Sequence, residues 1–267
     1  MKINLPPDSL PKLKKLISVK DENILVSELL LRYLLNSEKY PLKAEFKRRS
    51  PNASTKEQLY AAMLAEKLSP KHRGKQDVLL HHLNGRCALL DGDYYRDNPF
   101  FKTIKISEWS IGKWRLAFDR YAPYQAFAFR DIDVSSQGYE EKTHLGFFEE
   151  PFSFPVIMQE DRVWMSVTPH EIETMRQAVI EARGVVAVMG LGLGYYPYMI
   201  AQKDAVKKVI VFEKDTEVIS LFTQHLLSQF PNREKIIIIE ADAVKDFAKC
   251  VPNLSRLCLY RCVAGCR

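Results

Sequence analysis

Val185-Val186-Ala187-Val188-Met189 runs without a polar residue into Gly190-Leu191-Gly192-Leu193-Gly194, and Tyr195 to Ala201 follows with no further glycine. An unbroken apolar run of this length reads as a strand buried on both faces of a parallel sheet. Three glycines at alternate positions let the backbone turn sharply and come close to a ligand. The segment after them reads as a helix, whose first turn offers free amides and the positive end of a dipole. The unit is therefore strand, glycine-rich turn, helix.

Reading onward, Lys208-Val209-Ile210-Val211-Phe212 predicts a second strand, closed by Glu213, 23 residues after Gly190. In nucleotide-binding βαβ units an acidic residue about 20 positions on accepts hydrogen bonds from ribose hydroxyls. A helix is expected from Thr216 to Phe230, and a third strand at Lys235 to Ile239, ending in Glu240-Ala241-Asp242-Ala243. Glycines or acids thus end all three strands, on the edge where open α/β sheets bind ligands. Reading backward, Thr168-Pro169-His170-Glu171 has the signature of a helix start, with Thr168 as N-cap, Pro169 at the first helical position and Glu171 completing a capping box. Taken alone, the glycines need only form a tight turn. Glu213 need only be a solvated strand end, and Asp242 need only cap the next helix. Tyr195, Tyr196 and Tyr198 either pack or line a pocket. His170 reads as a surface residue, His81-His82 as a partly exposed helix pair, and Trp164 to Val167 as core.

At these residues, over about 180–248, the sequence resembles the class I S-adenosylmethionine-dependent methyltransferases. Their first strand ends in G-x-G-x-G, matched by Gly190, Gly192 and Gly194. Their second ends in a ribose-holding acid, matched by Glu213. An Asp after the third, often followed by Ala, contacts the adenine amino group, matched by Asp242-Ala243. The resemblance implies S-adenosylmethionine as cofactor, with Gly190, Leu191, Gly192 and Gly194 against its methionine and ribose. It implies a Rossmann-like α/β three-layer sandwich, here partial, with about three parallel strands of the family's normal seven. The family's strand order is 3-2-1-4-5-7-6. A remnant of the fourth strand is expected at Leu257 to Tyr260. No residue stands out as a catalytic base, and the methyl acceptor is not indicated. An aminopropyltransferase of the spermidine-synthase type shares the nucleotide half and a preceding β segment, and stays open. A nicotinamide-dependent oxidoreductase is disfavoured, because G-x-G-x-x-G would need a glycine where Tyr195 stands. A non-catalytic nucleotide-binding module is the third alternative.

Outside this stretch the texture changes twice. The chain has 267 residues, room for one large domain or two modest ones at about 150 residues each. Residues 1–102 read as a helical domain, with helices expected at Glu22 to Tyr40, after a capping box at Ser54-Thr55-Lys56-Glu57, and at Gln76 to Leu83 with continuation toward Leu90. Asp91-Gly92-Asp93 reads as a turn. Residues 103–167 read as a β-rich connector, from Thr103–Ser107, Lys113–Phe118, Gln125–Phe129, His144–Phe148 and Phe152–Met158. Residues 168–267 form the partial nucleotide-binding domain.

Net charge is +6, with +7 carried by residues 1–102 and −1 by the remainder. The basic stretches Lys43 to Arg49 and Lys71 to Lys75 would suit a nucleic acid, but solvated helix faces with flanking loops are the favoured reading. No apolar run is long enough for a bilayer and no secretory leader is evident, so a cytoplasmic protein without a membrane partner is expected. Of five cysteines only Cys87 lies in the body; Cys250, Cys258, Cys262 and Cys266 crowd the last eighteen residues at spacings of eight, four and four. Zinc pairs are spaced otherwise, so no metal is expected. The tail is read as a truncated or frameshifted end, leaving an incomplete acceptor side and doubtful activity.

Overall fold

A computed structural model of the chain describes residues 6, 9–49, 55–136, 138–243 and 245, with the backbone of 258–261. It divides into two compact units, one of Met1–Asp91 with Tyr121–Phe152, the other of Gly92–Arg120 with Ser153–Arg267. Composition suggested divisions near 102 and 167 instead. The difference arises because each unit finishes its sheet with strands drawn from a later stretch of chain.

The first unit opens with α1 (Leu10–Leu34), longer at its start than the helix expected from residue 22. Pro11 lies in its first turn, where a missing N–H costs nothing, so the helix can begin at Leu10. The helix ends before Pro41, with a 3-10 turn at Ser37–Lys39. It is only half buried: Val19, Val26, Leu29, Leu30 and Tyr33 enter the core, while Ile24, Leu31 and Leu35 face solvent. Next come α2 (Lys43–Arg49), α3 (Lys56–Leu68) and α4 (Arg73–Leu83). The cap of α3 is Thr55, whose hydroxyl accepts the Gln58 N–H at 3.1 Å. The N-cap is thus one residue later than expected, and Ser54 lies outside the described residues. Gly85 takes φ 71° and stops α4 from running on; β1 (Cys87–Leu89) follows instead of a helix to Leu90.

The chain then enters the second unit through α5 (Gly92–Arg96), α6 (Pro99–Thr103), β2 (Trp109–Ile111) and β3 (Trp114–Tyr121). The expected turn at Asp91 to Asp93 leads into α5, and the expected strand at 103–107 is the end of α6 and irregular chain. It returns to the first unit with β4 (Phe127–Ala128), β5 (Asp133–Val134), β6 (Glu141–Lys142) and β7 (Leu145–Phe147). There β7 lies between β1 and β4 in a three-stranded sheet, parallel to β1 and antiparallel to β4. Two buried tyrosines fasten the helices to this region. Tyr60 donates to the Tyr124 carbonyl at 2.8 Å and stacks on Phe147, while the Tyr33 hydroxyl accepts the Ala126 N–H at 2.8 Å.

The second unit resumes with β8 (Phe152–Gln159) and β9 (Arg162–Ser166), completing the sheet β2-β3-β8-β9. Then follow α7 (Pro169–Glu181), β10 (Gly184–Met189), α8 (Tyr195–Ala201), β11 (Val206–Glu213), α9 (Thr216–His225), β12 (Ile236–Glu240) and β13 (Cys258–Arg261). Thr168 caps α7 as read, accepting the Glu171 N–H at 3.3 Å. The helix of 216–230 is shorter than expected, ending at His225 with a 3-10 turn at Leu227–Gln229.

The last four strands form one parallel sheet in the order β12-β11-β10-β13. Four parallel strands stand where about three were expected, in the order that the resemblance implies for its first four. The second edge of β10 is paired with β13, with Val186 opposite Cys258 and Met189 opposite Arg261. Val186, Ala187 and Val188 are fully buried, α8 packs against β11, and α9 packs against β11 and β12. The unit is a mixed α/β structure. Among the described residues no helix is long and apolar enough to cross a membrane.

Candidate functional site

Parallel strands in register bring their carboxyl ends to one edge. Met189 stands opposite Phe212, and Glu213 opposite Glu240. The residues singled out in the sequence follow directly from those ends. Gly190, Gly192 and Gly194 take φ of 89°, 52° and 76°, a region that side chains with a Cβ rarely adopt. Gly192 and Gly194 are also hemmed in. A Cβ on Gly192 would overlap the Met165 thioether from β9, and one on Gly194 would overlap the Phe222 ring from α9. Leu191 and Leu193 are buried between them and anchor the loop.

Glu213 closes the loop onto the second strand. Its Oε2 accepts the Leu191 N–H at 3.0 Å, and its Oε1 accepts the N–H groups of Lys214 at 2.8 Å and Asp215 at 3.0 Å. The backbone does the same: Gly190 N–H donates to the Phe212 carbonyl at 2.8 Å, and Ala241 N–H to the Glu213 carbonyl at 2.9 Å. Loop, Glu213 and the start of the Asp242 turn are therefore one hydrogen-bonded assembly. A carboxylate presents about four lone-pair directions. Three are taken here, so Glu213 is a loop fastener with one direction remaining.

Asp242 is half-buried. Its Oδ1 accepts the Lys245 N–H at 3.3 Å and its Oδ2 lies 3.7 Å from the Lys245 ammonium. Both contacts cap the turn that begins there. Ala243 packs with Ala241 against the buried pair Ala187 and Phe212.

The tyrosines of α8 pack. Tyr195, Tyr196 and Tyr198 are buried, and each hydroxyl is tied elsewhere. Tyr195 accepts from Asn98 at 3.0 Å, Tyr196 donates to the Ala178 carbonyl at 3.4 Å, and Tyr198 lies 2.8 Å from the Thr103 hydroxyl. Burial pushes the Tyr195 phenol up to about 12. Its ring also walls a cavity of about 450 Å³ between α5, α6, α7 and α8, with Tyr95, Ile172 and Arg176. Arg176 is held there by Glu173 at 2.9 and 2.5 Å and by the Tyr94 hydroxyl at 2.6 Å.

Sequence reasoning missed Met165 as the residue that demands Gly192, because nothing local links β9 to the loop. It also missed Glu171. The capping-box pattern hides this side chain: its N–H bonds Thr168, but among the described residues its carboxyl has no hydrogen-bond partner. Burial pushes that carboxyl up to about 7. His82 is not merely a helix-surface residue: its Nε2 accepts the Thr143 N–H at 3.2 Å, and burial, followed by the neighbouring Arg86, brings it down to about 4. The described residues contain no cluster of three or more potential metal ligands. In the basic N-terminal region, Arg49 pairs with Glu45 and Glu66, and Lys67 with Glu45, so part of that charge is answered internally.

No family model matches the chain, and no curated protein matches it. Among solved structures, the crystal structure of wild-type Trm5b from Pyrococcus abyssi is similar over 43% of this chain and 36% of that one, at 14% identity and a TM-score of 0.25. This chain thus spans little more than a third of that structure's length. A likeness this slight carries no argument about function.

Proposed function

We propose that the carboxyl ends of β10, β11 and β12 bind S-adenosylmethionine, within a Rossmann-like three-layer domain, and that the protein is a methyltransferase. One observation carries the reading: the 3.0 Å hydrogen bond from the Leu191 N–H to the Glu213 carboxylate, which draws the glycine loop and the acidic strand end together. Glu213 keeps one acceptor direction for a ribose hydroxyl. Gly190, at the end of β10 with φ 89°, is the position for close approach of the cofactor. Leu191, Gly192 and Gly194 shape the loop, while Asp242 and Ala243 stand where the adenine would lie. The bound cofactor supplies a methyl group already activated on a sulfonium. The chain's task is to hold donor and acceptor in line and to exclude water, which needs no base of its own. The acceptor is left open.

A second reading, aminopropyl transfer, draws on the sheet β2-β3-β8-β9, built of two antiparallel hairpins, that precedes α7 in the same unit. The two differ in the cofactor they take. Thermal unfolding of the full chain with S-adenosylmethionine, decarboxylated S-adenosylmethionine or NAD separates them. A ligand at a hundred times its dissociation constant adds about 2.7 kcal/mol. Stabilisation by S-adenosylmethionine above the other two is expected. A preference for the decarboxylated form would favour aminopropyl transfer, and no shift with any of them would sink the nucleotide site.

A further inference from the structure

The first helix has two apolar faces and only one of them is used. Val19, Val26 and Tyr33, seven residues apart, point into the core of the first unit. Leu10, Ile17, Ile24 and Leu31 form a second seven-residue series on the opposite side, and each is 46–52% exposed. A sustained seven-residue apolar repeat is the seam by which one helix pairs with another. Ahead of Val19 the helix buries nothing, yet it carries Leu13 and Leu16 there as well, both more than a third exposed. Beside the seam, α1 and Tyr139 enclose an open groove of about 520 Å³, lined by Leu16, Ile24 and Leu31. The groove wall is fixed in place, because Asn23 donates to the Tyr139 carbonyl at 2.9 Å and accepts the Glu141 N–H at 3.1 Å.

The charges say which helix fits. From Leu10 to Lys20 there are four lysines and no acid; from Asp21 to Leu34 there are three acids and one arginine. That order opposes the helix's own dipole, which favours acids at the start and bases at the end. Alone, α1 is electrostatically inverted. Beside a second α1 running the opposite way, each basic half meets an acidic half and the dipoles oppose. A parallel pairing would set lysine against lysine.

We propose that α1 is a homodimerisation helix, pairing antiparallel with α1 of a second copy of this chain. Leu10 then lies level with the second copy's Leu31, and Ile17 with its Ile24. Lys14 comes within one residue of the level of the second copy's Glu28. Near the dyad, Asp21 of each copy is flanked by Lys20, already 4.0 Å away within its own chain. The contact runs along a helix about 37 Å long. That is at the small end of specific interfaces, so a dissociation constant of about 1–100 μM is expected.

Sedimentation equilibrium on the full chain, from about 1 to 200 μM, tests this, that range bracketing the constant expected for so small an interface. Wild type is expected to pass from monomer to dimer. The Ile17→Asp, Ile24→Asp double variant is expected to stay monomeric, with an unfolding midpoint equal to that of wild type at concentrations where wild type is monomeric. Lys14→Glu and Glu28→Lys are each expected to weaken the dimer about tenfold, and the two together to restore it, a change of the order seen for paired interface charges. These two are exposed charges, so they keep the test sound should the aspartate variant fail to fold. A monomer throughout the range, a dimer indifferent to the aspartates, or a charge-reversed pair that fails to restore association would each overturn the proposal.

Discussion

Glu213 shows how one carboxylate can serve structure and ligand together. Three backbone N–H groups already bind it, so changing it disturbs the loop before any cofactor is considered. Glu213→Gln keeps one good acceptor and turns a donor toward other donors. It is expected to lower stability by about 1–3 kcal/mol in urea unfolding without ligand, and to abolish the thermal shift given by S-adenosylmethionine. Because Glu213 also fastens the loop, loss of the shift tests loop and carboxylate together, and a shift that survives would remove both from the cofactor site. Gly194→Ala tests the backbone. With φ at 76° and the Phe222 ring in the way, it is expected to cost about 2–4 kcal/mol, strain and overpacking together. Glu171 supplies a pH signature. Its carboxyl titrates near 7 in the fold, against about 4.5 when exposed, so the folded state holds the extra proton. Stability contributed at this site is therefore present below pH ~4.5 and lost as pH rises through 7. Glu171→Gln removes the penalty of ionising it. The variant is expected to match wild type near pH 4 and to exceed it at pH 8, by at most about 3 kcal/mol, as read from unfolding curves at the two pH values.

The elements that could be read from the sequence are those with a local cause. Thr168 and Pro169 announce α7, the apolar run 185–189 announces β10, and three glycines announce the turn after it. Each uses information within a few residues. What could not be read has partners far along the chain. β1 is three residues long and exists because Leu145–Phe147 pairs with it. The segment 103–107 alternates like a strand but finds no ladder. At α1, the helix expected from Glu22 starts twelve residues earlier with Pro11 in its first turn, and its apolar residues are split between core and solvent. The candidate site divides the same way. The loop, Glu213 and Asp242 were visible as strand ends, whereas the residues that make Gly192 and Gly194 obligatory arrive from β9 and α9. A prediction for α9 follows from its cap. Asp215 accepts from both Glu217 and Val218 N–H groups and lies 3.7 Å from the Lys113 ammonium. Asp215→Ala is expected to destabilise the second unit by about 1–2 kcal/mol, measurable by thermal unfolding.

For the whole molecule, the order of units along the chain matters more than their number. The first unit needs 121–152 to finish a sheet begun at Cys87, and the second needs 153–166 to finish a sheet begun at Trp109. A cut after residue 102, natural from composition, would strip β4 and β7 from the first unit and leave Tyr60 without Phe147 and Tyr33 without Ala126. The fragment 1–102 is expected to lack a cooperative unfolding transition by circular dichroism. Residues 1–91 joined to 121–152 by a short glycine-serine linker are expected to show one. If the shorter fragment folds cooperatively by itself, the later strands are ornament and the division near 102 was right.

The same threading sets a timetable for a nascent chain. Emerging from the ribosome, the first four helices must wait for residues 121–152 before their aromatic core can close. Meanwhile 92–120 is already outside, held as a loop whose hairpin faces nothing. Only when 153–166 appears does β8 pair with β3, and the glycine loop and its carboxylate come later still. Synthesis therefore passes through a stage with the first unit closed and an unpaired β hairpin hanging from it. A pause there leaves a sheet edge open to other chains. Translation speed between residues 120 and 166 should thus govern how much of the protein is recovered unaggregated.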